Sequence, residues 1–82
     1  MTTVRYWAAA RAAAGTRADD VEASTLAEAL EQLRGRHDEK LAAVLGVCSF
    51  VVDGEPVGAR DHAQVRLDGV ELVDVLPPFA GG

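Results

Sequence analysis

One amphipathic helix set between strand-forming ends constrains this chain more than any other feature. Thr25-Leu26-Ala27-Glu28 reads as a capping box, in which Thr25 and Glu28 each satisfy a free backbone N–H. Leu26, Ala29, Leu30 and Leu33 follow at helical spacing and make one face apolar, while Glu28, Glu31, Gln32 and Arg34 make the other polar. Gly35 ends this helix, or loosens it before His37. A stripe of that kind must be covered, and the strand-like runs near both ends supply the cover. Thr2 to Ala8 is β-branched and aromatic, with Val4, Tyr6 and Ala8 alternating against Thr3, Arg5 and Trp7. Val70 to Leu76 is the last strand, stopped by Pro77-Pro78 because proline cannot donate to a ladder.

The intervening segments complete the pattern. The alanine run Ala8–Ala14, closed by Gly15, predicts a short helix. Arg17 to Ala23 is polar and weakly strand-like, with Asp19-Asp20 as a turn or an edge. Asp38 caps a second short helix, Glu39–Leu45, which Gly46 stops. Val47 to Val52 is the most apolar run and reads as a central strand. Asp53-Gly54 is a hairpin turn, Pro56 points to an edge strand, and Gly58 to Gln64 is a loop. Val65–Leu67 reads as a short strand before the Asp68-Gly69 turn. The expected fold class is α+β: a mixed sheet with one main helix packed across it, in one domain over residues 1–76 with an extended tail at 77–82.

Size and charge narrow the function. A chain of 82 residues buries roughly 60% of its unfolded surface, which leaves little volume for an internal pocket and argues against an enzyme that encloses its substrate alone. Thirteen Asp and Glu against eight Lys and Arg give a formal charge of −5, a poor match for nucleic acid or an anionic membrane and a better one for a basic protein face. The single cysteine, Cys48, makes neither an internal disulfide nor a multi-cysteine metal site, and a reducing, cytoplasmic setting is expected. No segment approaches the ~20 apolar residues of a membrane span. Cys48 reads as an ordinary buried thiol, and His37 and His62, without a second ligand at metal spacing, as solvated surface residues. Asp19-Asp20 and Asp38-Glu39 read as solvated faces or helix caps. Of Tyr6 and Trp7, adjacent on a strand, one can face outward as a docking contact. Arg5, Arg11 and Arg66 serve solubility or flank that surface.

The last six residues carry the chemistry. Pro77-Pro78-Phe79-Ala80-Gly81-Gly82 follows directly on a sheet strand and spans about 20 Å when extended. The proline pair stiffens the exit, and Gly81-Gly82 have no side chains, so a partner can close tightly on their backbone. Phe79 is placed to anchor in a partner. The tip is an ionised α-carboxylate on a thin probe, fit to enter a channel and attack the α-phosphate of ATP.

The runs Val4-Arg5-Tyr6-Trp7-Ala8-Ala9-Ala10-Arg11 with Gly15, Val52-Asp53-Gly54-Glu55-Pro56-Val57, Asp68-Gly69 and Leu76-Pro77-Pro78-Phe79-Ala80-Gly81-Gly82 cover essentially the whole chain. On these residues the sequence resembles the ubiquitin-like sulfur carriers of the β-grasp fold, most of all the small subunits of molybdopterin synthase. The resemblance implies that a ubiquitin-activating-type adenylyltransferase adenylates Gly82 with ATP and that a persulfide sulfur converts it to a thiocarboxylate. It further implies docking on the large synthase subunit, in a heterotetramer, with Pro77, Pro78, Phe79, Ala80 and Gly81 inserted in that subunit's channel. There the carrier donates sulfur to cyclic pyranopterin monophosphate in molybdenum cofactor synthesis. By the same resemblance the chain binds no cofactor or metal of its own, and ATP belongs to the adenylating partner. The helix after the first strand and the Pro-Pro pair favour this pathway over carriers for thiamine thiazole or a cysteine route, since the thiazole carriers are shorter and lack both. A protein modifier joined to lysines through Gly82, or an interaction domain with an inert tail, are the other readings. The nearly all-alanine first helix and Phe79, where relatives carry an aliphatic residue, are departures that bear on partner choice.

Overall fold

The computed structural model describes residues 1–78. Strands β1 (Thr2–Tyr6), β2 (Ala18–Val21), β3 (Ser49–Val52), β4 (Glu55–Pro56) and β5 (Leu72–Leu76) form one sheet in the order β2-β1-β5-β3-β4. β1 and β5 run parallel and the remaining pairs antiparallel. Helices α1 (Ala8–Ala14), α2 (Leu26–Arg36) and α3 (Glu39–Leu45) cover one face.

The period-2 pattern decides which face is covered. Val4 and Tyr6 of β1, Val73 and Val75 of β5 and Phe50 of β3 are buried against Leu26, Ala29, Leu30 and Leu33 of α2 and Leu41 and Leu45 of α3. These four α2 residues are the ones spaced for a single stripe, and truncating a leucine such as Leu30 to alanine costs about 2–5 kcal/mol. At the α2 N-terminus the Glu28 N–H donates to Thr25 Oγ1 at 3.2 Å, while the Glu28 carboxylate accepts from the Ser24 N–H at 3.4 Å. The reciprocal bond of the capping box thus reaches one residue further back than expected. Asp38 caps α3 by accepting from the Lys40 N–H at 3.0 Å.

Several sequence expectations are corrected. Gly35 neither ends nor breaks α2, which continues to Arg36 with His37 as its C-cap. The last turn is held from outside, by Arg36 Nη1 donating to the Asp20 carbonyl at 2.6 Å and His37 Nε2 lying 2.6 Å from Asp19 Oδ2. Val65–Leu67 is not a sheet strand. Its backbone bonds to the segment entering α2, Leu26 N to Val65 O at 2.9 Å and Leu67 N to Ser24 O at 3.0 Å, leaving one bridge between Thr25 and Arg66. Val65 and Leu67 are buried there. Val47 and Cys48 lie outside β3 because their N–H groups turn back to Val44 and Leu45 of α3, and Val47 is 62% exposed. Ala8 does not extend β1 inward. It is exposed, with φ 47°, and opens α1. A short 3-10 turn, His62–Gln64, interrupts the expected loop.

The hairpin and edge expectations hold. Asp53 and Gly54 adopt φ 46° and 82°, as a tight primed turn requires. β2 and β4 are the edges, and Pro56 sits on one of them.

Candidate functional site

β5, the strand that runs into the tail, is the central strand of the sheet. Parallel pairing sets Tyr6 beside Val75, and antiparallel pairing sets Ser49 beside Leu76. The tail base is therefore hydrogen-bonded on both sides, and pulling it free means breaking two ladders. The Trp7 N–H extends the β1 ladder by donating to the Val75 carbonyl at 3.2 Å. Pro77 is buried and Pro78 exposed, so among the described residues the free chain begins at Pro78. Phe79, Ala80, Gly81 and Gly82 lie outside the described residues.

Beside this exit a cluster stands on the sheet face that no helix covers. Of the two adjacent aromatics Tyr6 is fully buried, while Trp7 is 36% exposed. Alternation places Arg5 and Trp7 on the outer face with Leu72, Asp74 and Leu76. Asp74 Oδ1 accepts from Arg5 Nε at 2.7 Å and from Trp7 Nε1 at 2.9 Å. The Arg5 and Arg11 guanidiniums lie 4.9 and 5.9 Å from the centre of the Trp7 ring, within cation–π range. Partial burial pushes the Asp74 pKa up, but the hydrogen bonds from Arg5 and Trp7 and the Arg5 charge outweigh it and hold the carboxyl below its ordinary value. The bond to Asp74 raises the Arg5 pKa in turn. Arg5, Arg11 and Trp7 stand out in the sequence as surface candidates, and Asp74 does not. Its signal was present, as a lone acid in an apolar strand, but it becomes meaningful only with the parallel register that sets it opposite Arg5. Arg66 does not join the cluster; it pairs with Asp68 at 2.8 Å.

On the covered side a second polar group locks the same end of β1. The Tyr6 hydroxyl donates to Asp19 Oδ2 at 2.8 Å, and His37 Nε2 lies 2.6 Å from that oxygen with its ring edge-on to Tyr6. Burial foremost, and then the bond to Asp19, push the Tyr6 pKa up. His37 and Asp19 are thus not the solvated surface residues their sequence neighbourhood suggests, because β2 and the end of α2 close on them. His62 is likewise half-buried, edge-on to Phe50 at 5.1 Å. Cys48 is half-buried against the core, and burial raises its thiol pKa, which lowers its thiolate fraction and its fitness to carry a persulfide. Among the described residues no three of His, Cys, Asp and Glu gather as a metal site, and no helix is long and apolar enough to cross a membrane.

These side chains thus offer a rigid mount and a contact face beside the tail. Among curated proteins none matches the sequence. In structure the chain is similar to small archaeal modifier protein 1 from Methanosarcina acetivorans, with a TM-score of 0.82 at 20% sequence identity over 99% of this chain and 95% of that one. The fold is accordingly the ubiquitin-like β-grasp. The model of the ThiS family matches residues 4–82, reaching from the second residue of β1 through the tail. On that match the chain belongs to the ThiS family of ubiquitin-like sulfur carriers.

Proposed function

We propose that this chain carries sulfur on Gly82 as the small subunit of molybdopterin synthase. The observation that carries the reading is the anchorage of the tail. The family match runs to residue 82, and the strand feeding the tail is the central one, clamped by β1 and β3. Helix α1, inserted directly after β1, and the Pro77-Pro78 pair favour the molybdopterin branch among sulfur carriers.

In this reading a Gly82 carboxylate oxygen attacks the α-phosphorus of ATP bound to an adenylyltransferase, and pyrophosphate leaves. The terminal sulfur of a partner's persulfide attacks the acyl carbon, and AMP leaves with the C–O bonding pair. A thiol on the partner side then cleaves the resulting acyl disulfide, taking the remaining sulfur as a disulfide and releasing the thiocarboxylate. That sulfur is soft and ionised, as a thiolate is, and it attacks cyclic pyranopterin monophosphate within the large subunit. This chain supplies aim: Tyr6, Trp7 and Val75 hold the exit, and Phe79, Ala80 and Gly81 lie in the partner's channel. ATP is held by the adenylating partner, and the chain itself holds no cofactor.

Reconstitution tests the pathway. The thiocarboxylated chain, mixed with the large synthase subunit and cyclic pyranopterin monophosphate, is expected to form molybdopterin, two carriers being consumed per product. No conversion of the pterin, alongside transfer to a thiazole or cysteine precursor, would overturn the pathway. A second reading, conjugation to lysines through Gly82, begins with the same activation and is suggested by the archaeal neighbour, itself named a modifier.

A further inference from the structure

β2 is the sheet edge with room for another strand. The other edge, β4, spans Glu55–Pro56; Pro56 has no N–H to offer, and Arg60 donates to the Pro56 and Val57 carbonyls at 3.2 and 3.0 Å. On β2 the Arg17 carbonyl accepts from the Tyr6 N–H, so the backbone groups of Asp19 and Val21 face β1 and those of Ala18, Asp20 and Glu22 face outward. The two halves of that outward row differ. The N–H groups of Ala18, Asp20 and Glu22 have no partner among the described residues. The carbonyls of the same residues are taken by side chains. Thr16 Oγ1 donates to the Ala18 carbonyl at 3.3 Å, Arg36 Nη1 to that of Asp20 at 2.6 Å and Gln32 Nε2 to that of Glu22 at 2.7 Å.

An added antiparallel strand exchanges hydrogen bonds with each outward residue through both its N–H and its carbonyl. Against this edge the incoming N–H groups meet carbonyls already occupied, and a buried donor left unmet costs more than the bond beside it returns. The row is self-complementary, which commits its occupant to a second copy of β2. With a two-fold axis at Asp19, Ala18 of one copy lies opposite Asp20 of the other, and every outward group of these residues finds a partner. That register sets Asp19 against Asp19, but each carboxylate already accepts from Tyr6 and lies 2.6 Å from His37 Nε2. The neighbouring register sets Asp20 directly against Asp20, which like charges disfavour. In the favoured register the Thr16 hydroxyl makes a long bond that a rotation releases, whereas Arg36 makes a short, charge-assisted one. We infer that Arg36 is a gatekeeper: by holding the Asp20 carbonyl from the last turn of α2, it keeps the β2 edge from pairing with β2 of a second copy. The Arg36 guanidinium makes no ion pair among the described residues, so it is committed to this edge. The inference is independent of the chemistry at Gly82.

Sedimentation of the whole chain over a range of concentrations tests this. Arg36→Ala, with retained fold checked by thermal melting, is expected to self-associate with a dissociation constant lower than that of the unaltered chain by about tenfold or more, since each copy gains a free carbonyl. Amide exchange at Ala18 and Asp20 in this variant should slow as its concentration rises. Gln32→Ala, which frees a carbonyl outside the paired residues, leaves self-association as it was. Arg36→Ala combined with Ala18→Pro, which removes an outward N–H and no bond to β1, returns to the behaviour of the unaltered chain. Association of Arg36→Ala no tighter than that of the unaltered chain, tighter association that survives Ala18→Pro, or equal tightening by Gln32→Ala overturns the inference. So does concentration-dependent protection of the Ala18 and Asp20 amides in the unaltered chain, a measurement that stands even where Arg36→Ala does not fold.

Discussion

Replacing Tyr6 by phenylalanine probes the lock at the tail-proximal end of β1. Tyr6 is fully buried, its hydroxyl donates to Asp19 Oδ2 at 2.8 Å, and His37 Nε2 shares that oxygen at 2.6 Å. Phenylalanine removes one hydrogen bond and strands no donor, because the deleted group is the donor. Hydrogen bonds to a charged acceptor contribute about 1.5–3 kcal/mol. Asp19 keeps His37 and its side chain is 22% exposed, which brings the expected loss to the low end, about 1–1.5 kcal/mol. Asp19→Ala is worse. It leaves the buried phenol without an acceptor, adding about 1–3 kcal/mol, so its total is about 2–4.5 kcal/mol before the lost contact to His37 is counted. The double variant should cost no more than Asp19→Ala alone, since both remove the same bond. Urea unfolding at constant m-value gives these differences, and for a domain of this size each kcal/mol moves the melting midpoint by about 4–8 °C. Amide exchange at Trp7, whose N–H bonds Val75, should quicken in both variants. If Asp19→Ala costs no more than Tyr6→Phe, or the two losses simply add, the shared hydrogen bond is not what holds this end.

Acid should loosen the outer-face cluster late. The Asp74 pKa is depressed, so its share of stability is present above the ordinary aspartate range near about pH 3.9 and is lost as pH falls below that through the folded value. Trp7, the only tryptophan, reports this by fluorescence, with a midpoint below the ordinary aspartate value that disappears in Asp74→Asn; a midpoint at or above that value contradicts the geometry. Ala8 sits at φ 47°, a conformation that costs a non-glycine residue about 1–2 kcal/mol, so Ala8→Gly should raise the melting temperature, and a fall refutes the strain. Lys40 is the only lysine and is exposed, so any side-chain-linked homopolymer formed during activation should vanish in Lys40→Arg; persistence of such a ladder would point to another acceptor.

What could be read from the sequence followed local rules. The capped α2 stripe, the Asp38 cap, the Asp53-Gly54 turn and the edge proline each depend on neighbours within a few residues, and each formed. What could not be read depended on distant partners. Gly35 stays helical because Arg36 and His37 bind β2, 16 and 18 residues earlier in the chain. Val65–Leu67 alternates like a strand, yet its hydrogen bonds go to the segment entering α2. His37 looks like a solvated histidine until β2 brings Asp19 to it. Asp74 gains its role only from the parallel β1–β5 register. In the site itself, Trp7 and its arginines were visible as candidates, whereas the occupied edge carbonyls were not, because Gln32, Arg36 and Arg60 reach backbone groups that no side-chain pattern marks.

The most direct measurement is the intact mass of the chain after incubation with its adenylating enzyme, ATP and a persulfide donor. Loading at Gly82 predicts an increase equal to one oxygen exchanged for one sulfur, absent when ATP is withheld or Gly82 is deleted. An unchanged mass under conditions where ATP is consumed, or a sulfur gain that survives loss of Gly82, would contradict it.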